Sequence, residues 1–396
     1  MLFLIAVFMA FIDYGLTGSL FSSVWSQIAL DINVDYSLLG VLTMISSGTS
    51  GLSSAFAYVL RRRLGTSKSI IVSFIGFTIS LLLFYSANNI IMICIALAFL
   101  GFSSGIIDTV INSYIIKAYD SGKLSLLHAS WGLGSTIGPI LMSIAITKAL
   151  NYRLGFLWST ILIVIGIFIF VFLKIYWENI KKNLDKDFVN LHSVSQEEKQ
   201  SNISLVDIFK IENGLNFVLC FILCGAVNSS LSAWIATLTV NQRNLSVEIG
   251  AAAATFYFAG LTATRVLLSF LSKKIGNHNI LYGGFIISII SYILLFVKTS
   301  DTTFVYFDAA LIGIGISPLI PFLHSSVKEF FDEKHIGVIV SGCNSLSLAS
   351  SALSTALITL LIKLIGVNNV QILFITFIAV ALILYSNIIK KHSMTK

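Results

Sequence analysis

Twelve long apolar runs dominate this chain, and a polypeptide that must satisfy so many of them has few folds open to it. They fall at about 2–29, 36–60, 69–87, 90–116, 124–149 and 154–176, then at 214–240, 249–271, 279–297, 303–325, 336–364 and 369–389. Each has about the 20 residues that a helix needs to cross a bilayer core. Only 11% of the residues are charged, against about 25% in soluble domains, and the deficit extends along nearly the whole length. One anchor helix on a soluble domain would not produce that pattern. In hydrocarbon every backbone polar group must be satisfied within the structure, which makes runs of this length helices. The expected fold is an all-α membrane protein of twelve transmembrane helices in two six-helix bundles.

One long polar stretch, Trp177 to Asn213, divides the runs six and six. The expected organisation is an N-terminal bundle over 1–176, a central cytoplasmic loop over 177–213, and a C-terminal bundle over 214–396 with a short basic tail. Of the 25 Lys and Arg, 19 lie in the even-numbered connections and the tail. Lys148, Arg153, Arg243, Lys298 and Lys363 lie in odd-numbered connections, and Arg265 lies within a span. An excess of basic residues marks the cytoplasmic side, so both termini are expected there, in a multi-pass protein of the cell membrane. The formal charge of +7 is a topology signal, and no nucleic-acid partner is expected. Cys94, Cys220, Cys224 and Cys343 sit inside apolar runs without metal-ligand spacing, so they read as small core residues, and neither metal nor cofactor is expected. Residues 1–12 lack a basic n-region and Asp13 interrupts their run, so the first helix is expected to stay attached.

The segment from Gly101 to Pro139 concentrates the polar chemistry. Gly101, Gly105, Asp108 and Asn112 are spaced by four, three and four residues, which puts them on one helical face. After a charged turn, Lys117 to Lys123, the next run carries His128, Gly132, Gly134, Gly138 and Pro139. Those glycines allow a neighbouring helix to approach closely. An ionisable side chain in a membrane segment is costly, which makes Asp108 a functional candidate facing the bundle interior or a watery cavity.

A local pattern also repeats between the halves. Arg62, Arg63, Leu64 and Gly65 follow the second run, and Lys273, Lys274, Ile275 and Gly276 follow the eighth. Parallel six-helix repeats with a substrate site between them near the midplane are a recurring transporter plan. With these features the chain resembles the major facilitator superfamily over essentially its whole length. The superfamily's loop between spans two and three has a Gly, an Asp and basic residues; here Tyr58, Arg62, Arg63, Gly65 and Lys68 stand at the matching positions, without the first glycine and the acid. The order Asp108-Thr109, Asn112, Leu126-Leu127-His128, Gly132-Leu133-Gly134 and Gly138-Pro139 is similar to the branch containing fucose:proton symporters. That resemblance implies acidic residues in spans one and four that handle proton and sugar, which here are Asp13 and Asp108.

Asp13 lies about 17 Å along the first helix at 1.5 Å per residue, near mid-membrane, where a carboxyl can bind and release a proton or simply tie helices together through Thr17. Asn112 offers amide donors and an acceptor to a polar solute, as do Asn228 and Ser232 beside Trp234 in the seventh span and Asn344 at the head of a Ser-rich stripe in the eleventh; each also serves equally as glue between helices. His128, close to Lys123, reads as structural or gating. Arg265 has no acid one turn away in its own helix, so a partner from another span is expected, as an inter-helix lock or for an anionic substrate. Asp308, near the outer end of the tenth span, is expected to be reached by water. Together these residues describe a monomeric carrier working by alternating access, taking a small polar solute, a sugar first among them, with protons across the lipid bilayer. The alternatives are a proton-driven exporter, because Gly134, Gly138 and Pro139 echo the antiporters' glycine-proline motif, and a non-transporting receptor of the same fold. No Walker loop, nucleophile set or metal-ligand set is present in the sequence, and enzyme activity is not expected.

Overall fold

The computed structural model describes residues 2–118, 121–172, 208 and 211–395. Most of the expected central loop lies outside the described residues, as do the side chains of Arg62, Asn112, Lys273 and Asn344.

The N-terminal half comprises α1 (Leu2–Asp31), a short 3₁₀ turn (Tyr36–Leu38), α2 (Leu39–Leu64), α3 (Thr66–Ser86), α4 (Ile90–Ala118), α5 (Ser121–Ala149) and α6 (Tyr152–Phe172). The C-terminal half comprises α7 (Gly214–Arg243), α8 (Val247–Ile275), α9 (Asn277–Leu294), α10 (Thr302–Ile316), α11 (Leu319–Phe330), α12 (Glu333–Ile365) and α13 (Gln371–Thr395). The tenth crossing is thus two helices. Two of the chain's three prolines, Pro318 and Pro321, stand at this break. Lacking N–H groups, they cannot carry the hydrogen-bond ladder through Ser317 and begin a new helix instead.

Among the described residues, ten of the crossings are long and apolar enough to span a membrane by length and composition. At 26 and 33 residues, α2 and α12 are also long enough to cross at 1.5 Å per residue. The mean hydropathy of α2 is lowered by serines and glycines, and these two helices pack on each other across the boundary between the halves. Outward-facing Phe56, Phe168, Phe172, Phe270, Ile286 and Ile383 are well exposed, an apolar girdle suited to lipid rather than water.

The two halves are built alike. The α1 and α5 pair recurs as α7 and α12, and the α2 and α4 pair recurs as α8 and α10. Between the halves, α2 meets α12 and α5 meets α8, the relation a two-fold repeat requires. Gly65 and Gly276, the last residues of the repeated basic motif, both close their helices with positive φ, 79° and 83°, a conformation that suits glycine. Small residues set the close crossings. A Cβ on Gly134 would strike the Ile12 carbonyl of α1, one on Gly138 the Ser19 hydroxyl, and one on Gly101 the Ser46 carbonyl of α2. The glycines of the fourth and fifth spans therefore act as expected, by letting backbones approach.

Where the chain enters α2, the halves are joined closely. Thr359 donates to the Ser37 carbonyl at 2.5 Å, Asn241 donates to Ser26 at 3.4 Å, and Gly40 lies against the Thr355 carbonyl. Asp35 caps the 3₁₀ turn there by accepting from the Ser37 N–H at 2.7 Å, and that hydrogen bonding holds its carboxyl below the usual carboxylate range.

Candidate functional site

A cavity of about 360 Å³ lies between the halves. From the N-terminal half, α1 contributes Tyr14, Gly18, Ser19, Phe21 and Ser22, α2 contributes Thr43, Ser46, Ser47 and Ser50, and α4 and α5 add Ser104, Trp131 and Ser135. From the other half come Asn228, Ser229 and Ser232 of α7, Phe258 of α8 and Ser351 of α12. None of the described lining side chains is charged. The low hydropathy of α2 now has a reason, since one of its faces is wall for this space.

Many of these hydroxyls spend their proton on their own helix. Ser19 donates to the Leu16 carbonyl at 3.1 Å, Thr43 to Gly40 at 3.0 Å, Ser46 to Thr43 at 3.0 Å, Ser104 to Leu100 at 2.8 Å and Ser229 to Ala226 at 3.1 Å. Such back-bonding is common in apolar helices. Each oxygen keeps lone pairs free, so the wall presents acceptors. Asn228, half-buried in the lining, adds a carboxamide Oδ1 that is buried without a hydrogen-bond partner. Ser232 donates to the Asn228 carbonyl at 2.9 Å and stands 3.1 Å from the Tyr257 hydroxyl. Trp131 and Phe258, in edge contact at 6.3 Å between centroids, form an aromatic wall where α5 meets α8.

The candidates from the sequence separate here. Asn228 and Ser232 line the cavity; Trp234, two residues on, is fully buried and turned away from it. Asp13 also faces elsewhere. It lies with Met9, Phe74, Ile169 and Phe170 around a second, drier crevice, and its carboxyl presses on Gly166 of α6, where a Cβ would strike Oδ2. Its neighbour Tyr14 points the other way, into the cavity, because consecutive helical residues are about 100° apart. Tyr14 lies within electrostatic reach of the half-buried Asp108. Thr17 donates to the Asp13 backbone carbonyl at 3.0 Å, rather than tying its carboxyl.

His128 and Arg265 come together across the α5 and α8 contact, within electrostatic reach of each other. His128 also meets the Phe11 ring of α1, in its own half, edge-on at 6.1 Å. Arg265 does not gain the acid from another span that the sequence led us to expect: no carboxylate pairs with it among the described residues, and its Nε is buried without a partner. The charge pair is elsewhere. Asp308, expected to be wetted, is fully buried and receives Arg243 Nη2 at 2.6 Å. Arg243 also donates to the Leu294 and Val297 carbonyls, each at 3.3 Å, and lies over the Phe304 ring. It binds the end of α7 to the end of α9 and the start of α10. With 65 positions separating the partners, no local spacing could have signalled it.

Comparison with known proteins fits this geometry. The structure superposes on a peptide transporter POT solved with sulfate at a TM-score of 0.67, covering 98% of this chain and 93% of that one at 14% identity. It superposes on a POT family transporter solved with 5-aminolevulinic acid at 0.69, covering 97% and 94% at 15% identity. At such identities the likeness is one of fold. In sequence, 96 residues are 29% identical to the proton-coupled antiporter flippase LtaA of Staphylococcus epidermidis, 24% of each chain. A stretch of 130 residues is 26% identical to LtaA of Staphylococcus aureus, 32% of this chain and 33% of that one. The match thus spans a quarter to a third of those relatives, and the activity in their name is antiport rather than the sugar symport of the fucose branch. The profile of the Major Facilitator Superfamily matches residues 3–297 and 217–392, and the chain belongs to that family of multi-pass membrane transporters.

Proposed function

We propose that this chain is a proton-coupled carrier of a small solute rich in hydroxyl groups, a sugar, a polyol or a derivative of one, which occupies the cavity between the halves. The observation that carries this reading is the wall itself, where serine and threonine oxygens with their protons already donated, together with the orphan amide oxygen of Asn228, await donors from a ligand. Solute hydroxyls supply such donors, and Trp131 with Phe258 suits the apolar face of a ring. A volume of about 360 Å³ falls in the usual range for small-molecule sites, about 300–1,000 Å³.

The proton is handled on α1. Asp13 and Tyr14 are neighbours that face different sides of this helix, the carboxyl against α6 and the ring into the cavity. Protonation of Asp13 changes how α1 seats on Gly166, and a shift of α1 moves Tyr14, Gly18 and Ser22 in the solute site. Asp108, in reach of Tyr14, is the second proton site. Alternating access then follows from rocking of one half on the other about the α2–α12 and α5–α8 contacts. Both termini face the cytoplasm of the cell membrane, as the basic residues direct.

A second reading, antiport of proton against an exported solute, draws support from the relatives' name and leaves the same residues in the same roles. Flux separates the two. In liposomes containing the protein, a symporter accumulates labelled solute when the outside is acidic, and an antiporter when the inside is. Asp13→Asn keeps shape and neutral hydrogen bonding but cannot titrate. It is expected to abolish uphill uptake and spare exchange of labelled for unlabelled solute. Uphill uptake with unchanged pH dependence in Asp13→Asn would remove Asp13 from the proton path.

A further inference from the structure

At the junction of the halves Arg265 is a half-buried cation whose enclosed Nε has no partner and for which the described residues supply no counter-ion. A guanidinium stays charged throughout the physiological range, and a membrane-buried charge left uncompensated is costly. The helix around it is otherwise ordinary, so the cost calls for a use. Arg265 follows Phe258 by seven residues and Thr262 by three, which places all three on one face of α8. Phe258 lines the cavity, and Thr262 packs on Gly132 of α5. Long helical side chains lean toward their helix N-terminus, and for Arg265 that direction is toward Phe258 and the cavity. Arg265 is also in electrostatic reach of Tyr257, two turns back, whose hydroxyl stands 3.1 Å from that of cavity-lining Ser232. His128 faces Arg265 from α5, three residues before cavity-lining Trp131.

We propose that Arg265 anchors an anionic group, a carboxylate or a phosphate, on the transported solute, while the hydroxylated remainder fills the neutral cavity beyond it. This inference rests on the reading of the cavity as a site for hydroxyl-rich solutes and narrows its substrate class to sugar acids or sugar phosphates. A planar guanidinium whose Nε is unpartnered can pair with either oxyanion, and His128 and Tyr257 lie within electrostatic reach of it. With the solute bound, the uncompensated charge is neutralised; with the site empty, it draws anions into the cleft.

The test is binding of matched probes to the purified full-length protein in detergent, by titration calorimetry: glucose, gluconate and glucose 6-phosphate, then the corresponding galactose set. At least one anionic probe is expected to bind about ten-fold tighter than its neutral parent, with the preference lost in Arg265→Gln and neutral-sugar binding unchanged. Whichever of gluconate or glucose 6-phosphate binds identifies the oxyanion. Neutral sugars binding as tightly as anionic ones, or an anion preference that survives Arg265→Gln, would overturn the inference and leave the hydroxylated-solute reading standing. Binding of none of the probes would overturn both. Arg265→Gln is also expected to melt no lower than the parent when no solute is present, since it removes an unpaired charge. A variant that fails to fold or melts well below the parent would show that Arg265 is a structural lock, which also overturns the assignment.

Discussion

The Arg243 and Asp308 pair offers the sharpest energetic test of the fold. Both side chains are nearly inaccessible, 2% and 0% exposed, and their contact is 2.6 Å. Deleting one partner of such a pair strands the other, at a cost of about 3–5 kcal/mol. The guanidinium is held by two carbonyls and the Phe304 ring, so it cannot swing out to water without losing three more contacts. Asp308→Ala is therefore expected at the upper part of that range. Asp308→Asn keeps an acceptor oxygen and should cost roughly half as much, because a neutral hydrogen bond replaces a charge-assisted one. Replacing both residues with apolar ones of similar volume, Arg243→Met with Asp308→Leu, should cost less than either single deletion, since no charge remains buried. The assay is equilibrium unfolding in mixed detergent micelles, followed by tryptophan fluorescence, with the parent, Arg243→Met, Asp308→Leu and the double variant closing a double-mutant cycle. A loss below about 1 kcal/mol for Asp308→Ala would be the magnitude of an exposed pair and would refute the burial argument.

Three further outcomes follow from the site. Asn228→Ala removes one acceptor from the cavity wall and should weaken solute binding by about 0.5–1.5 kcal/mol without loss of expression; unchanged affinity would make this amide only helix glue. Gly166→Ala drives a methyl into the Asp13 carboxyl and should impair proton coupling while solute affinity, measured at one pH, stays within about two-fold; normal coupling would separate Asp13 from the proton path. Gly40→Val puts a branched side chain against the Thr355 carbonyl and should prop the halves apart at that end, read as faster thiol labelling of Ser22→Cys in a background lacking the four native cysteines. Labelling no faster than in the parent would show that this contact does not close the cavity.

Much of this architecture was legible in the sequence because hydrocarbon imposes few solutions. Twelve apolar runs and the repeated basic-basic-aliphatic-glycine step have counterparts in the helices, down to the positive φ of Gly65 and Gly276. Glycines at intervals of a helical turn signalled close crossings, and Gly101, Gly134 and Gly138 make them. The direction of single side chains was less legible. Asp13 and Tyr14 are adjacent in sequence and about 100° apart around α1, so the ring lines the cavity while the carboxyl lies against Gly166. Asn228 and Trp234 shared a helix but not a face. Partners far apart in the chain, such as Arg243 with Asp308, leave no trace in local spacing. The serines of α2 were the signal passed over: Ser46 and Ser50 at helical spacing in a weakly apolar span mark a wetted face, and they line the cavity.

The central claim is that protons drive a hydroxylated solute through the cavity shared by the two halves. Its most direct test is accumulation of labelled sugars, sugar acids and sugar phosphates in proteoliposomes under an imposed pH gradient, with and without a protonophore, for the parent and for Asn228→Ala combined with Ser232→Ala. The expected result is uphill accumulation of at least one such solute that collapses when the protonophore is added and is strongly reduced in the double variant. Accumulation that ignores the pH gradient, or that is untouched by the two cavity substitutions, would contradict it.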